Sequence, residues 1–117
     1  MLRAFFCTLF LAPVSATADP AVIVEAQARP SGDGWTVSVT LRHGDTGWDD
    51  YADGWRVVTA AGAVLGTREL LHPHVDEQPF TRSRHFASLP ADVPLFVESS
   101  TTRTGWSGPA APLTRAE

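Results

Sequence analysis

Residues 35–42 read Trp-Thr-Val-Ser-Val-Thr-Leu-Arg. Trp35, Val37, Val39 and Leu41 alternate with Thr36, Ser38, Thr40 and Arg42. A period of two puts the apolar set on one face of a strand and the polar set on the other. Such a strand is stable only when a second layer covers its apolar face. The same short-period pattern, cut by turn formers, recurs along the chain, and no long helical period appears.

The remaining strands follow from that pattern. Val22, Val24 and Ala26 alternate with Ile23, Glu25 and Gln27 in a first strand. Residues 29–34 (Arg-Pro-Ser-Gly-Asp-Gly) break it. Further strands are expected at 55–59, 64–71, 80–87 and 95–103. A short one is expected at 110–114, where Pro109 and Pro112 restrict it to a sheet edge. Residues 115–117 are expected to fray. Seven short strands predict an all-β chain, a seven-stranded antiparallel sandwich of the immunoglobulin or fibronectin type III kind. The fibronectin-like variant fits better, because no pair of cysteines is present to bridge the sheets.

The N-terminus has the order of a cleaved export signal. Arg3 precedes an apolar run from Ala4 to Ala12, interrupted only by Thr8. The run is shorter than the roughly 20 residues a bilayer span needs. Ala16 and Ala18 form a small-x-small pattern, which predicts cleavage after Ala18. Residues 1–18 are thus expected to be a signal peptide, and 19–117 a single sandwich domain in the periplasm or outside the cell. Cys7 would leave with the signal; it lacks the small residues that precede a lipid-anchored cysteine. The mature domain would have no cysteine and would depend on its apolar core. Loss of Arg3 moves the formal charge from −4 to about −5, since no acid is lost. An acidic domain of this kind is a poor partner for nucleic acid or anionic lipid. Every basic side chain other than histidine is arginine; lysine and asparagine are absent.

If successive strands run antiparallel, the connections after strands two, four and six meet at one end. That end would collect His43, Asp45, Trp48, Asp49, Asp50, Tyr51 and Asp53, then His72, His74, Asp76 and Glu77, then Trp106. Binding residues concentrate on loops held by a rigid scaffold. In His72-Pro73-His74 the proline favours extended backbone before it, and residues two apart then point to one side. Two imidazoles so placed can chelate zinc or copper, with His43, Asp76 or Glu77 completing the set. The competing reading is a hydrogen-bonded histidine loop stiffened by Pro73 and Pro79.

Asp49-Asp50-Tyr51-Ala52-Asp53-Gly54 resembles the start of a calcium loop but has Tyr51 at the third position and Ala60 at the twelfth, where a ligand is required. Thr46-Gly47-Trp48-Asp49 is instead expected to begin a short helical turn. Trp48 and Tyr51 would then plug the end of the core above Trp55. If exposed, Trp48, Tyr51 and Trp106, with Asp49, would be anchors for a protein partner. Arg82 and Arg84 share parity with Phe80 and Phe86, which predicts either a bulge near Ser83 or an ion pair from Arg82 to Asp76 or Glu77. Arg82 could equally hold an anionic ligand. No nucleophile elbow or phosphate loop is present. Enzymatic activity would require the histidines to hold zinc for a metal-assisted hydrolysis.

The stretches 45–55 (Asp-Thr-Gly-Trp-Asp-Asp-Tyr-Ala-Asp-Gly-Trp) and 72–83 (His-Pro-His-Val-Asp-Glu-Gln-Pro-Phe-Thr-Arg-Ser) resemble those of small uncharacterised exported proteins of proteobacteria. That resemblance implies export. It brings no activity, ligand or catalytic residue.

Overall fold

The structure is a computed structural model that describes residues 18–116. The proposed signal segment therefore lies outside the described residues, except for Ala18. Eight strands follow in chain order: β1 (Val22–Ser31), β2 (Gly34–Arg42), β3 (Ala52–Thr59), β4 (Val64–Glu69), β5 (Phe80–Phe86), β6 (Leu95–Thr101), β7 (Ala111–Pro112) and β8 (Thr114–Arg115). They form two four-stranded sheets, ordered β5-β2-β1-β8 and β4-β3-β6-β7. No helix occurs among the described residues.

The count is eight rather than seven because the last expected strand divides. Ala111–Pro112 pairs with β6 at the edge of one sheet. Thr114–Arg115 then crosses to run parallel to β1 in the other. Leu113, between them, is buried in the core. Arg115 does not fray: its guanidinium hydrogen-bonds to the carbonyls of Pro90 and Val93.

The alternation of β2 is realised as read. Val37, Val39 and Leu41 are buried, and on the outer face Ser38 and Thr40 hydrogen-bond Ser83 and Thr81 of β5 at 2.7 Å each. Opposite them, Trp55, Val57, Leu95 and Val97 come from the second sheet, and all join one apolar cluster. Each fully buried side chain of this size stabilises the fold by about 1.5–3 kcal/mol. That is how a domain without disulfides is held together.

β1 departs from its expected pattern. Its register shifts between Ile23 and Glu25, so Ile23 packs against the core while Val22 and Val24 stay exposed. The break expected at 29–34 shrinks to Gly32-Asp33. Gly32 has a positive φ of 59° there, a conformation that side chains resist.

The expected bulge at Ser83 does not occur. The β2–β5 register is unbroken from Trp35↔Phe86 to Leu41↔Phe80. Both arginines face inward where the edge strands β4 and β5 leave the sandwich open. Arg84 lies over the Phe86 ring, 4.4 Å from its centroid, and against Gly66 of β4, where a Cβ would collide with it. Long arginine stems can cover apolar surface and still reach water.

Candidate functional site

The connections 43–51, 70–79 and 102–110 gather at one end of the sandwich, as the strand alternation predicts. Asp45 ties two of them together. Its Oδ1 accepts from His43 Nδ1 at 2.6 Å and from the Ala52 backbone N–H at 3.0 Å; its Oδ2 accepts from the His74 backbone N–H at 2.8 Å. Gln78 adds a second tie. It accepts from the His43 N–H at 3.0 Å and donates to the His74 carbonyl at 2.8 Å. The third loop joins through Thr102, whose N–H donates to the Tyr51 carbonyl and whose hydroxyl accepts from the Tyr51 N–H. Asp45 stood among the loop acids in the sequence. Its central role, and that of Gln78, were not readable there.

The other ring nitrogen of His43, Nε2, lies 2.9 Å from the Asp19 carbonyl and 3.8 Å from Asp50 Oδ1. Both ring nitrogens therefore face acceptors. The ring thus bridges the loop and the N-terminal segment. A His–Asp pair is the base half of a hydrolytic triad in kind. Here Nε2, the atom that would act on a nucleophile, is engaged by backbone.

His74 is buried, and its ring stacks on Phe80 with centroids 4.0 Å apart. Its Nε2 lies 2.7 Å from the Arg82 guanidinium, and its Nδ1 finds no partner. Since guanidinium can only donate, Nε2 accepts and the ring is neutral. Burial pushes the His74 pKa below its ordinary 6.5, helped by the positive charge of Arg82 and by His72, against the pull of Glu77 and Asp45. Arg82 also reaches Glu77 at 3.3 Å. This is one of the two ion pairs expected from the sequence.

Of the candidate metal ligands, His72 and His74 are neighbours, with ring centroids 4.5 Å apart. His72 is exposed, its Nδ1 lying 3.2 Å from the Pro73 carbonyl. Asp76 and Glu77 are exposed. Among the described residues, no three His, Cys, Asp or Glu side chains converge where they could hold a metal ion.

The 46–51 segment forms no helical turn. A Gly47↔Asp50 bridge closes a tight turn with Trp48 and Asp49 at its tip. Trp48 is consequently 69% exposed rather than a plug, in edge contact with half-buried Tyr51 at 5.7 Å. Trp106 lies over Gly54, where a Cβ would stand 3.2 Å from its ring. The Arg56 guanidinium sits 4.2 Å from the Trp106 ring centroid. Tyr51, Trp106, Leu70 and Leu71 line a cleft of about 360 Å³ with Asp53, Thr67, Glu69 and Ser100. Leu71, at its rim, is 71% exposed. The sequence reading missed this residue, having assigned it to a strand that ends at Glu69.

No family model matches the chain, and no solved structure matches it. The chain is similar to a protein of the archaeon Halomicrobium mukohataei that carries the name "Putative lipoprotein". The two are 45% identical over 73 residues, which is 62% of this chain and 36% of the relative. The chain thus spans little more than a third of that protein. The relative is archaeal, whereas the sequence resemblance pointed to proteobacteria.

Proposed function

We propose that this chain is an exported binding module of the cell envelope, periplasmic or secreted, that presents an aromatic surface to a protein partner. The observation that carries the reading is that Tyr51, Leu71 and Trp106 line one cleft, with exposed Trp48 in edge contact with Tyr51, on loops tied to one another by hydrogen bonds. Large aromatic anchors on preordered loops lose little entropy on binding. Export is supported by the charge, apolar run and small-x-small order of residues 1–18 and by the relative's name. An immunoglobulin-like identity is supported by connectivity. β1, β2 and β5 share one sheet while β3, β6 and β7 share the other, the division of strands A, B, E and C, F, G in that fold.

The zinc or copper reading has less support. Arg82 covers His74 Nε2, and Asp45 and Asp19 engage both nitrogens of His43. Besides His72, Asp76 and Glu77, that leaves His74 Nδ1, which has no partner but is withdrawn from solvent.

Photo-crosslinking in intact cells tests the partner reading, with the probe at position 48, 71 or 106 and a control on the outer face of β2 at position 36. The expected result is one discrete adduct from the three loop positions, none from the control, and loss of the adduct from position 106 in a Trp48→Ser/Leu71→Ser variant. Equal labelling from loop and control positions would sink the reading.

A further inference from the structure

We propose that the cleft between Tyr51, Leu71 and Trp106 receives a basic side chain, lysine or arginine, of a polypeptide partner, with Asp53 and Glu69 as its counter-charges. This rests on the partner-surface reading above and names the chemistry of that partner.

The placement of Asp53 begins with the backbone. The β3–β6 register shifts between Ala52 and Gly54, leaving Asp53 as the extra residue of a bulge. Bulges re-aim side chains. Without the bulge, the parity of buried Trp55 would send Asp53 into the core. With it, Ala52 takes the core position, and Asp53 lines the cleft beside Glu69, the cross-strand partner of Gly54.

The charges in the cleft are not balanced from within. No basic residue lines it. Among the described residues the ion pairs are His43 with Asp45 and Asp50, Arg56 with Glu98, and Arg82 with Glu77. Asp53 and Glu69 belong to none of them. Asp53 Oδ1 is withdrawn from solvent and has no hydrogen-bond partner. Arg68, next in sequence to Glu69, turns its guanidinium to the Glu69 backbone carbonyl at 2.9 Å rather than to a carboxylate. A buried acceptor without a partner is costly, and an incoming cation would relieve it.

The walls suit the same guest. Aromatic faces attract ammonium and guanidinium groups, and Trp106 already holds Arg56 in that way. Leu70 and Leu71 offer apolar surface to the methylene stem of a long basic side chain. The charge of Arg56 is itself matched by Glu98 at 3.1 Å, so it does not neutralise the cleft acids.

The test is an NMR titration of the ¹⁵N-labelled protein with N-acetyl-lysine methylamide and N-acetyl-arginine methylamide, beside uncharged N-acetyl-norleucine methylamide. Saturable shifts of the Trp106 indole N–H and the Gly54 and Leu71 amides are expected with the two cations. In Asp53→Asn/Glu69→Gln the affinity should fall by about tenfold or more, and in parent protein it should weaken with salt. If norleucine binds as well as lysine, or the amide variant binds the cations unchanged, the basic-guest inference is overturned while the partner surface stands. If no probe shifts these signals, the cleft is not the subsite proposed. The crosslinking at positions 48 and 71 then judges the wider surface independently.

Discussion

Asp45 Oδ1 lies 2.6 Å from Nδ1 of His43, with both side chains almost wholly withdrawn from solvent. The same carboxylate holds the backbone of two further residues, Ala52 and His74. Replacement by asparagine keeps the shape and spoils the chemistry. One amide oxygen can serve His43 and Ala52, but the NH₂ would then face the His74 N–H, donor against donor. The expected cost for Asp45→Asn is about 1–3 kcal/mol, that of leaving a buried donor without its acceptor. Urea unfolding should show a lower midpoint with an unchanged slope. A change within error would show that the loops are held by other means.

His74 gives the fold a pH dependence whose sign can be worked out. Its folded pKa lies below the ordinary 6.5 because of burial first and Arg82 second. Above 6.5 the ring is neutral in both states and imposes no penalty. Below 6.5 the unfolded chain takes up a proton that the folded chain refuses, so stability falls as the pH falls towards the lower folded value. Unfolding free energy measured between pH 7 and pH 5 should decline for the parent, with a shallower decline for His74→Gln. Identical slopes would mean that His74 titrates alike in both states.

Two glycines of one hairpin separate steric cost from conformational cost. A Cβ on Gly34 would stand 2.9 Å from the Ala87 carbonyl oxygen and closer still to that of Phe86. Neither backbone carbonyl can move without opening the end of β5. A Cβ on Gly32 meets nothing, but φ there is 59°. Gly32→Ala is expected to cost about 1–2 kcal/mol from the left-handed conformation alone. Gly34→Ala should cost about 1–3 kcal/mol and, unlike Gly32→Ala, should speed amide exchange at Phe86 and Ala87. The same exchange pattern in both variants would contradict this division.

The sandwich was legible where local pattern decides structure. Val37, Val39 and Leu41 announce a half-buried strand, and the gathering of three loops at one end follows from strand parity. What stayed hidden depends on partners distant in sequence. Gln78 reads as an ordinary loop residue until the fold brings it to His43, 35 positions away. The alternation at Val22 and Val24 misleads because a bulge inverts their facing, and a bulge leaves no mark in a period-two pattern. Thr46-Gly47-Trp48-Asp49 has the spacing of a helix cap, but no apolar helical run follows to reward a helix. The segment therefore closes as a tight turn that sends Trp48 outward. Arg82 and Arg84 break the parity of β5 only if arginine must avoid an inward face. At the open margin between two edge strands that rule does not apply.

The histidines give the last prediction. Zinc entering at His74 would have to displace the Arg82 guanidinium from Nε2, 2.7 Å away, or reach Nδ1, which has no partner but is withdrawn from solvent. At His43 it would have to break a buried 2.6 Å bond to Asp45 or the contact with the Asp19 carbonyl. Each route either breaks an existing hydrogen bond or opens a buried atom, and of these histidines only His72 is exposed beforehand. A site that binds the folded state would raise its stability by about 4 kcal/mol at a free-metal concentration about 1,000 times the dissociation constant. Titration of zinc and copper is therefore expected to show no tight one-to-one uptake, and the urea midpoint should not move on adding metal or on His72→Ala. A metal-dependent rise in midpoint, abolished in His72→Ala/His74→Ala, would instead show that the loop rearranges to chelate. The Arg82–His74 contact would then be the apo state of a metal switch.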